Sequence, residues 1–228
     1  MALFDNHFYH EMTKRYTVAM GSLFSDINVV RYKEDGSEDH RLVVPLSYSP
    51  KEKFIQRLTQ DADHSRKPAI TLPRMAFELA SLNYDGQRKL QKLRKYHYND
   101  VDKTNPAPQA GFVYTPVPYD LVWNLYIVTK TQDEMLQIIE QILPAFTPDI
   151  TLSLKGIASP ETIFDVPISL LDVEPTDTFE GMFEERRQIM WSLSFLMKAV
   201  YFGPITTKHI ILQTDTPIYG WEKLFSDE

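Results

Sequence analysis

The chain has 228 residues, of which 43% are hydrophobic and 24% charged, so it is long enough to bury a substantial core as one large domain or two small ones. Its net charge of −7 at pH 7 argues against general nucleic-acid binding, which usually shows a basic domain. It contains no cysteine, which excludes disulfides, thiolate zinc sites and a cysteine nucleophile. No apolar run approaches the roughly 20 residues of a transmembrane helix, and the N-terminal stretch lacks the pattern of a secretory signal.

The first predicted elements are a helix and a hairpin. Apolar residues recur every three or four positions over residues 7–24, which is typical of an amphipathic helix. Two β-branched runs, residues 27–32 and 41–48, flank a polar loop that contains Gly36. This arrangement predicts two antiparallel strands joined by that loop.

A second helix and a third strand are predicted next along the chain. Ser49 is the expected N-cap of a short helix over residues 50–62, with the proline that follows it at the first helical position. Alternating apolar residues over residues 69–85 predict a strand. Residues 86–98 are either helical or an exposed extension, and residues 96–110 predict a mobile loop.

The clearest local pattern is a strand followed by a capped helix. Residues 119–129 alternate with apolar side chains on both faces, which predicts a strand. Thr131 and Glu134 have the T-x-x-E spacing of a capping box, which predicts that a helix begins there, and Pro144 ends it. Two interpretations of Trp123 and Tyr126 remain open: they pack under the flanking helices, or they contribute to an outer, functional surface.

Four further strands are predicted in the second half of the chain, at residues 149–156, 162–175, 186–202 and 207–214. The segment 186–202 resembles a buried helix in its apolar content, but its large residues alternate at period two, which favours one long strand. Strands outnumber helices and occur in adjacent runs. The sequence therefore predicts an α+β fold, a mainly antiparallel sheet with two or three helices, in a single domain over residues 1–214.

No pattern of catalytic residues stands out. The eight glycines form no phosphate-binding loop, and a G-x-S-x-G nucleophile motif is absent. His7 and His10 have the spacing of two metal ligands on a helix, but no third ligand completes a site, so surface histidines are the favoured interpretation. Asp172, Glu174 and Asp177 lack the spacing of a calcium loop. We expect neither metal, cofactor nor enzymatic activity, with a hydrolase that has a dispersed site as the remote alternative.

Charge is distributed unevenly along the chain. The basic segment, residues 87–98, contains no acid, and the acidic segment, residues 172–185, contains no base. Such poles suit contacts between copies or with neighbouring proteins, although two solvated surfaces are the simpler alternative. Direct nucleic-acid binding by the basic segment is not expected in an acidic protein. The candidate interface residues are Arg88, Lys89, Lys92, Arg94 and Lys95 in the basic segment and Asp172, Glu174, Asp177 and Glu180 in the acidic one.

Several segments together resemble a known family. The runs "RYTVAMGSLFSDINVVRY", "RLVVPLSYSPKEKFIQRL", "LPRMAFELASLNYDGQRKL" and "PVPYDLVWNLYIVTKTQDEMLQIIEQILPAFTPDITLSLK" occur in matching order. They resemble the tail sheath stabiliser and completion protein family of contractile-tailed, T4-like bacteriophages. The resemblance extends over about residues 8–203.

This resemblance implies a structural role without enzymatic activity or cofactor. It implies a homohexameric ring at the head-proximal end of the tail, in contact with the tail-tube terminator protein, the tail sheath protein and the neck proteins that attach the head. It also implies a virion component that assembles in the cytoplasm of the bacterial host, and a curved sheet similar to that of tail terminator proteins. The related alternative is that the chain is itself the tail-tube terminator.

The C-terminal tail, residues 215–228, is rich in large apolar side chains. Its candidate contact residues are Ile218, Tyr219, Trp221, Leu224 and Phe225. One hypothesis is that a partner orders this tail, for instance by its addition to the sheet edge of a neighbour. Deletion of the tail is then expected to leave the fold intact and to weaken docking.

Overall fold

The computed structural model describes residues 7–33, 35–59, 72–100, 109–156, 163–177 and 189–209. Within these ranges it contains the following helices and strands. The helices are α1 (Met12–Leu23), α2 (Lys51–Thr59) and α3 (Gln132–Ile142). The strands are β1 (Asn28–Tyr32), β2 (Glu38–Val43), β3 (Leu46–Tyr48), β4 (Arg74–Tyr84), β5 (Lys95–Asp100), β6 (Gln109–Tyr114), β7 (Val117–Thr129), β8 (Asp149–Lys155), β9 (Ile163–Asp177), β10 (Ile189–Tyr201) and β11 (Thr206–His209).

The centre of the molecule is a six-stranded sheet in the order β3-β4-β7-β10-β9-β8. Every pair in it is antiparallel except β3 with β4. A two-stranded sheet, β1 with β2, and a three-stranded sheet, β11-β6-β5, complete the architecture of the described residues. The predicted α+β class with a curved, mainly antiparallel sheet is confirmed.

One face of the six-stranded sheet, called here the inner face, carries the main hydrophobic core. Trp123 on β7 and Phe195 on β10 are register partners on this face, and both are fully buried. Helices α1 and α3 cover them through residues such as Tyr16 and Met135. A Cβ atom on Gly21 of α1 would lie 3.1 Å from the ring of Phe77 on β4, so glycine permits the close approach of α1 to the sheet.

The opposite face, called here the open face, is covered much less completely. Helix α2 packs over one corner, where Phe54 joins a small buried cluster with Ala76, Tyr126 and Val128. This settles the alternative for Trp123 and Tyr126, because both side chains pack beneath other elements. Elsewhere on the open face, the described side chains of β8, β9 and β10 are half-buried or exposed.

The first predicted helix begins later than its apolar pattern suggests. Helix α1 starts at Met12, because Glu11 has a backbone φ of 55°, in the left-handed region that interrupts a right-handed helix. The predicted start of the helix at residue 7 is therefore wrong. His7 and His10 are not on a shared helix turn, which removes the basis for a helical pair of metal ligands.

The predicted hairpin is confirmed for β1 and β2, but the predicted strand 41–48 is two strands. β2 pairs with β1, whereas β3 runs parallel to β4 in the central sheet. The chain changes sheets at Val44 and Pro45: the Val44 amide donates to the carbonyl of Ile27, and the Pro45 carbonyl accepts from the amide of Met75. Alternation of side chains cannot reveal such a change, because both strands keep the same period.

Two local predictions need correction. Helix α2 begins at Lys51, so Pro50 rather than Ser49 is at the N-cap position: its carbonyl accepts from the Phe54 amide at 3.0 Å, and the Ser49 hydroxyl donates to that same carbonyl at 3.4 Å. Residues 96–100 and 109–110 of the predicted loop belong to the antiparallel pair β5–β6, and its residues 101–108 lie outside the described residues. The extended alternative for the basic segment is therefore the observed one beyond Arg94. Strand β11 confirms part of the predicted segment 207–214, and its remainder lies outside the described residues.

The strand and capped helix at residues 117–142 match their prediction closely. The Thr131 side chain accepts from the Glu134 amide at 3.4 Å, as an N-cap does. The reciprocal half of the capping box is replaced, because the buried Glu134 carboxylate accepts two hydrogen bonds from Arg31 on β1, at 2.9 and 2.6 Å. The predicted long strand at 186–202 is confirmed by β10, whose pairing with β7 is unbroken.

Two glutamines of α3 attach the small β1–β2 sheet to the core. The amide group of Gln137 bonds to both the N–H and the C=O of Val30, at 2.9 and 3.0 Å. Gln141, one helical turn later, makes the same pair of bonds with Asn28. Four helical residues rise about as far as two strand residues, so the two amides follow the edge of β1 as another strand would.

Candidate functional site

The basic segment divides into a structural residue and an exposed group. Arg88 is half-buried, and its guanidinium bonds to the carboxylates of Asp85 at 2.6 Å and Asp120 at 2.8 Å and to the carbonyl of Tyr119. The Arg88 hydrogen bond is the main cause that lowers the pKa of the Asp85 carboxyl. Arg88 therefore joins the turn after β4 to β7, and it is withdrawn from the set of candidate contact residues.

The other four basic residues of the segment lie on the surface. Lys89 and Lys92 are exposed in the turns before β5, and Arg94 and Lys95 are exposed at its start. The ammonium group of Lys95 lies 4.4 Å from the ring centroid of Phe112 on β6. Such cation–π contacts hold a cationic side chain against its own sheet without neutralising its charge. The basic segment thus presents a positively charged surface where it leads into β5 of the three-stranded sheet.

The first acidic candidates lie on the open face of the central sheet. Asp172 and Glu174 are exposed on β9 and share one face, because they are two positions apart. Their register partners on β10 are Ser194 and Ser192. Asp177 ends β9, where only its backbone is described, and Glu180 lies outside the described residues.

A row of hydrogen-bonded polar groups crosses the open face toward these acids. The Ser194 hydroxyl donates to the Asn124 amide oxygen at 3.0 Å, and the Asn124 amide donates to the Tyr126 hydroxyl at 3.2 Å. Tyr126 in turn donates to the carboxylate of Glu78 at 2.7 Å. The pKa of Tyr126 is raised to about 12, chiefly by desolvation on burial and secondly by this bond to Glu78. The row gives the open face a fixed, polar and acidic character that alternation alone did not reveal.

The histidines that the sequence singled out do not form a metal site. The His10 ring bonds to the carbonyl of Gly203 at 2.9 Å, and His7 is exposed. Among the residues that the structure describes, no group of three His, Asp or Glu side chains is placed to hold a metal ion. Nor does this part of the chain contain a helix with the length and apolarity needed to span a membrane.

The candidate residues of the C-terminal tail all lie outside the described residues; they are Ile218, Tyr219, Trp221, Leu224 and Phe225. Among the described residues, the structure shows two groups from the predicted set. One is the exposed cations Lys89, Lys92, Arg94 and Lys95, and the other is the acidic pair Asp172 and Glu174.

The fold and these surfaces define a class: a small α+β protein whose described surface offers charge and open sheet for contacts with other proteins. The model of the T4-like virus Myoviridae tail sheath stabiliser family matches residues 7–227, so the chain belongs to that family. It is 29% identical over 215 residues to the tail completion protein gp15 of Enterobacteria phage T4, a match that covers 91% of this chain and 76% of that relative.

The family membership confirms the resemblance found in the sequence. The chain is a structural protein of a phage tail, and this role implies association with other tail proteins.

Proposed function

We propose that the protein forms a homohexameric ring at the head-proximal end of a contractile tail. The ring caps and stabilises the sheath and the tube, and it provides the surface to which the neck of the head attaches. It acts through the shape and charge of repeated copies, without bond-making chemistry of its own. The observation that carries this proposal is the match to the tail sheath stabiliser family over nearly the whole chain, supported by the tail completion protein to which the chain is similar.

The charged surfaces suggest how neighbouring copies orient in such a ring. The cations of the basic segment and the acids of the open face are different surfaces of the protein. A contact between the cations of one copy and the acids of another is therefore head-to-tail. Contacts of this kind close into rings when the rotation between copies allows it. We therefore assign Lys89, Lys92 and Lys95 of one copy to the acidic surface around Asp172 and Glu174 of the next. Exposed pairs of this type contribute mainly to orientation and association rate.

A charge swap tests this pairing. Reversal of Lys89, Lys92 and Lys95 to Glu, or of Asp172 and Glu174 to Lys, is expected to abolish assembly, measured as mass by light scattering. A mixture of the two variants is expected to regain some assembly, since the reversed surfaces are again complementary. Normal assembly of both variants, or a mixture that behaves like either variant alone, would contradict the pairing. Reversal of Lys53 on helix α2 and of Lys130, both of which are exposed, is the matched control.

The tail partners are tested by co-purification with isolated components. Sheath protein and tail-tube terminator protein are expected to retain the chain, and tube protein is not. Retention by tube protein alone would contradict the proposal and would favour the tube terminator as the function.

Negative-stain microscopy tests the position of the protein on the tail. The expected assembly is a ring of six copies at one end of each tail. Subunits scattered along the sheath would contradict it.

A further inference from the structure

The central sheet has two edges that differ in how well they are protected. At one edge, β3 is three residues long and follows Pro45, and short strands and prolines are common ways to protect an edge. At the other edge, β8 is seven residues long, without proline and without a bulge in its pairing with β9. No described strand pairs with the second side of β8. β8 therefore presents backbone donors and acceptors that suit the addition of another strand.

A groove of about 760 Å³ runs beside this edge, between β8 and helix α1. Its apolar lining includes Val18 and Ala19 of α1 and Leu152 and Leu154 of β8. Val18 has 65% of its surface exposed, so it adds apolar surface to the groove beside β8. A strand placed on β8 would cover Val18 with every second side chain.

The end of the groove is fixed by Arg15. Its guanidinium donates to the carbonyl oxygens of Lys155, at 2.9 Å, and of Gly156, at 2.6 Å. These bonds hold α1 at a constant distance from the end of β8, so the groove is built into the fold. The charges around it are mainly positive: Lys14, Arg15 and Lys155 line it together with one acid, Glu11.

The C-terminal tail has the complementary pattern. Residues 215–228 contain four acids and one lysine. Three of the acids, Asp215, Asp227 and Glu228, flank the segment 218–225, which itself contains one acid and one lysine, so the flanking charge is opposite in sign to the groove. In an extended chain successive side chains alternate, so Tyr219, Trp221 and Phe225 share one side. The segment 218–225 is one residue longer than the seven-residue strand β8. A similar length, alternating aromatic side chains and flanking acids are features that suit a strand added to this groove.

We propose that residues 218–225 of one copy add as a strand to the free edge of β8 in the next copy, with the aromatic side chains over Val18 and Leu152. This inference rests on the proposed ring. A donor segment and an acceptor groove are different surfaces, so the contact is head-to-tail and propagates in one direction around a closed ring. The acceptor of the partner-ordered tail is then β8, which the sequence alone did not identify.

Cysteine cross-linking tests the proposal directly, because the chain has no cysteine of its own. The double variant Val18→Cys with Lys223→Cys is assembled, treated with a short bismaleimide and run on a denaturing gel. The expected result is a shift of most of the protein from the single-chain band to a ladder of covalent multimers. The matched control is Val43→Cys with Lys223→Cys, because Val43 is 61% exposed but lies on β2, away from the groove. This control is expected to stay in the single-chain band.

Four outcomes would overturn the proposal. A cross-link within one chain would show that the tail occupies the groove of its own copy. Equal ladders for Val18 and Val43 would show contact without a defined site. The absence of any cross-link in a protein that light scattering shows to be assembled would exclude the groove and leave the ring intact. A protein that neither assembles nor cross-links would contradict the ring and the tail contact together.

Discussion

The two faces of the central sheet are built from the same strands and have opposite compositions. On β7, Trp123 faces inward and is fully buried, whereas its neighbour Asn124 faces outward and is only half-buried in a row of polar groups. On β10 the same change separates Phe195 from Ser194. The inner face thus contains the packing that stabilises the fold. Away from the corner that α2 covers, the open face contains hydrogen bonds and charge, and their loss is expected to leave that packing unchanged.

The residues that stabilise the fold are therefore different from those available for contacts with other proteins. A protein that associates with other proteins needs surfaces that can change without unfolding it, and the open face and the basic segment meet this condition. Residues of the inner face are therefore expected to affect the free energy of unfolding. Residues at the exposed surfaces are expected to affect association and to leave the free energy of unfolding nearly unchanged.

The largest effect is expected for the substitution Trp123→Ala. The side chain is fully buried, and its indole nitrogen has no hydrogen-bond partner within the described residues, so its contribution is packing. Truncation of a buried tryptophan costs about 3–5 kcal/mol. Asn124→Ala, one residue along the same strand, is expected to cost about 1 kcal/mol through its lost hydrogen bonds. Urea denaturation measures both, and equal costs would contradict the difference between the faces.

The next effect distinguishes two adjacent basic residues. Arg88→Ala removes bonds to Asp120 and to the carbonyl of Tyr119, so it is expected to lower the free energy of unfolding by about 1–2 kcal/mol. Lys89→Ala is expected to change it by less than about 0.5 kcal/mol. Thermal or urea unfolding of the two variants decides the matter. If Lys89→Ala is as destabilising as Arg88→Ala, the division of the basic segment into structural and exposed residues is wrong.

A smaller, local effect is expected at the edge of β1. Gln137→Ala removes two hydrogen bonds to Val30, each worth about 1 kcal/mol or less. The expected signature is faster hydrogen exchange of the Val30 amide, since its acceptor is the glutamine oxygen. Glu140→Ala, an exposed position on the same helix, is the control and is expected to leave that amide unchanged. Unaltered exchange in the glutamine variant would show that α3 does not hold β1 in this way.

The smallest effect at neutral pH concerns Tyr126. Its folded-state pKa of about 12 lies above the ordinary value of 10.0, so its contribution to stability is complete below pH 10 and is lost as the pH rises toward 12. Tyr126→Phe is expected to reduce the loss of stability over that interval. Tyr16, whose pKa burial also raises, keeps part of the alkaline loss in the variant. An unchanged pH profile from 10 to 12 would contradict the raised pKa of Tyr126.

The sequence predicted those elements whose signals are local. Three predictions depend on spacing within the segment itself: the strand at 119–129, the N-cap at Thr131 and the alternation of β10. All three are confirmed, although the strand begins two residues earlier, at Val117. Two features were missed for different reasons. The change of sheets at Pro45 depends on hydrogen bonds to distant partners. The late start of α1 depends on the backbone conformation of a single residue, Glu11, which has no signal in the spacing of apolar residues.

The candidate site shows the same limit. Charge runs correctly predicted exposed cations and acids, but a run cannot show that Arg88 is paired with acids of the turn and of β7. The open-face row joins Glu78, Asn124 and Ser194 from three strands that are far apart in sequence. The two glutamines of α3 carry no pattern of their own, because their role depends on the position of β1 beside them.

The most direct test of the central claim is the number of copies on an intact tail. Quantitative mass spectrometry of purified tails, calibrated with labelled peptides of this chain and of the sheath protein, measures that number. A ring of repeated copies at one end predicts six per tail, independent of the length of the sheath. A single copy per tail, or a number that rises in proportion to the sheath protein, would contradict the account.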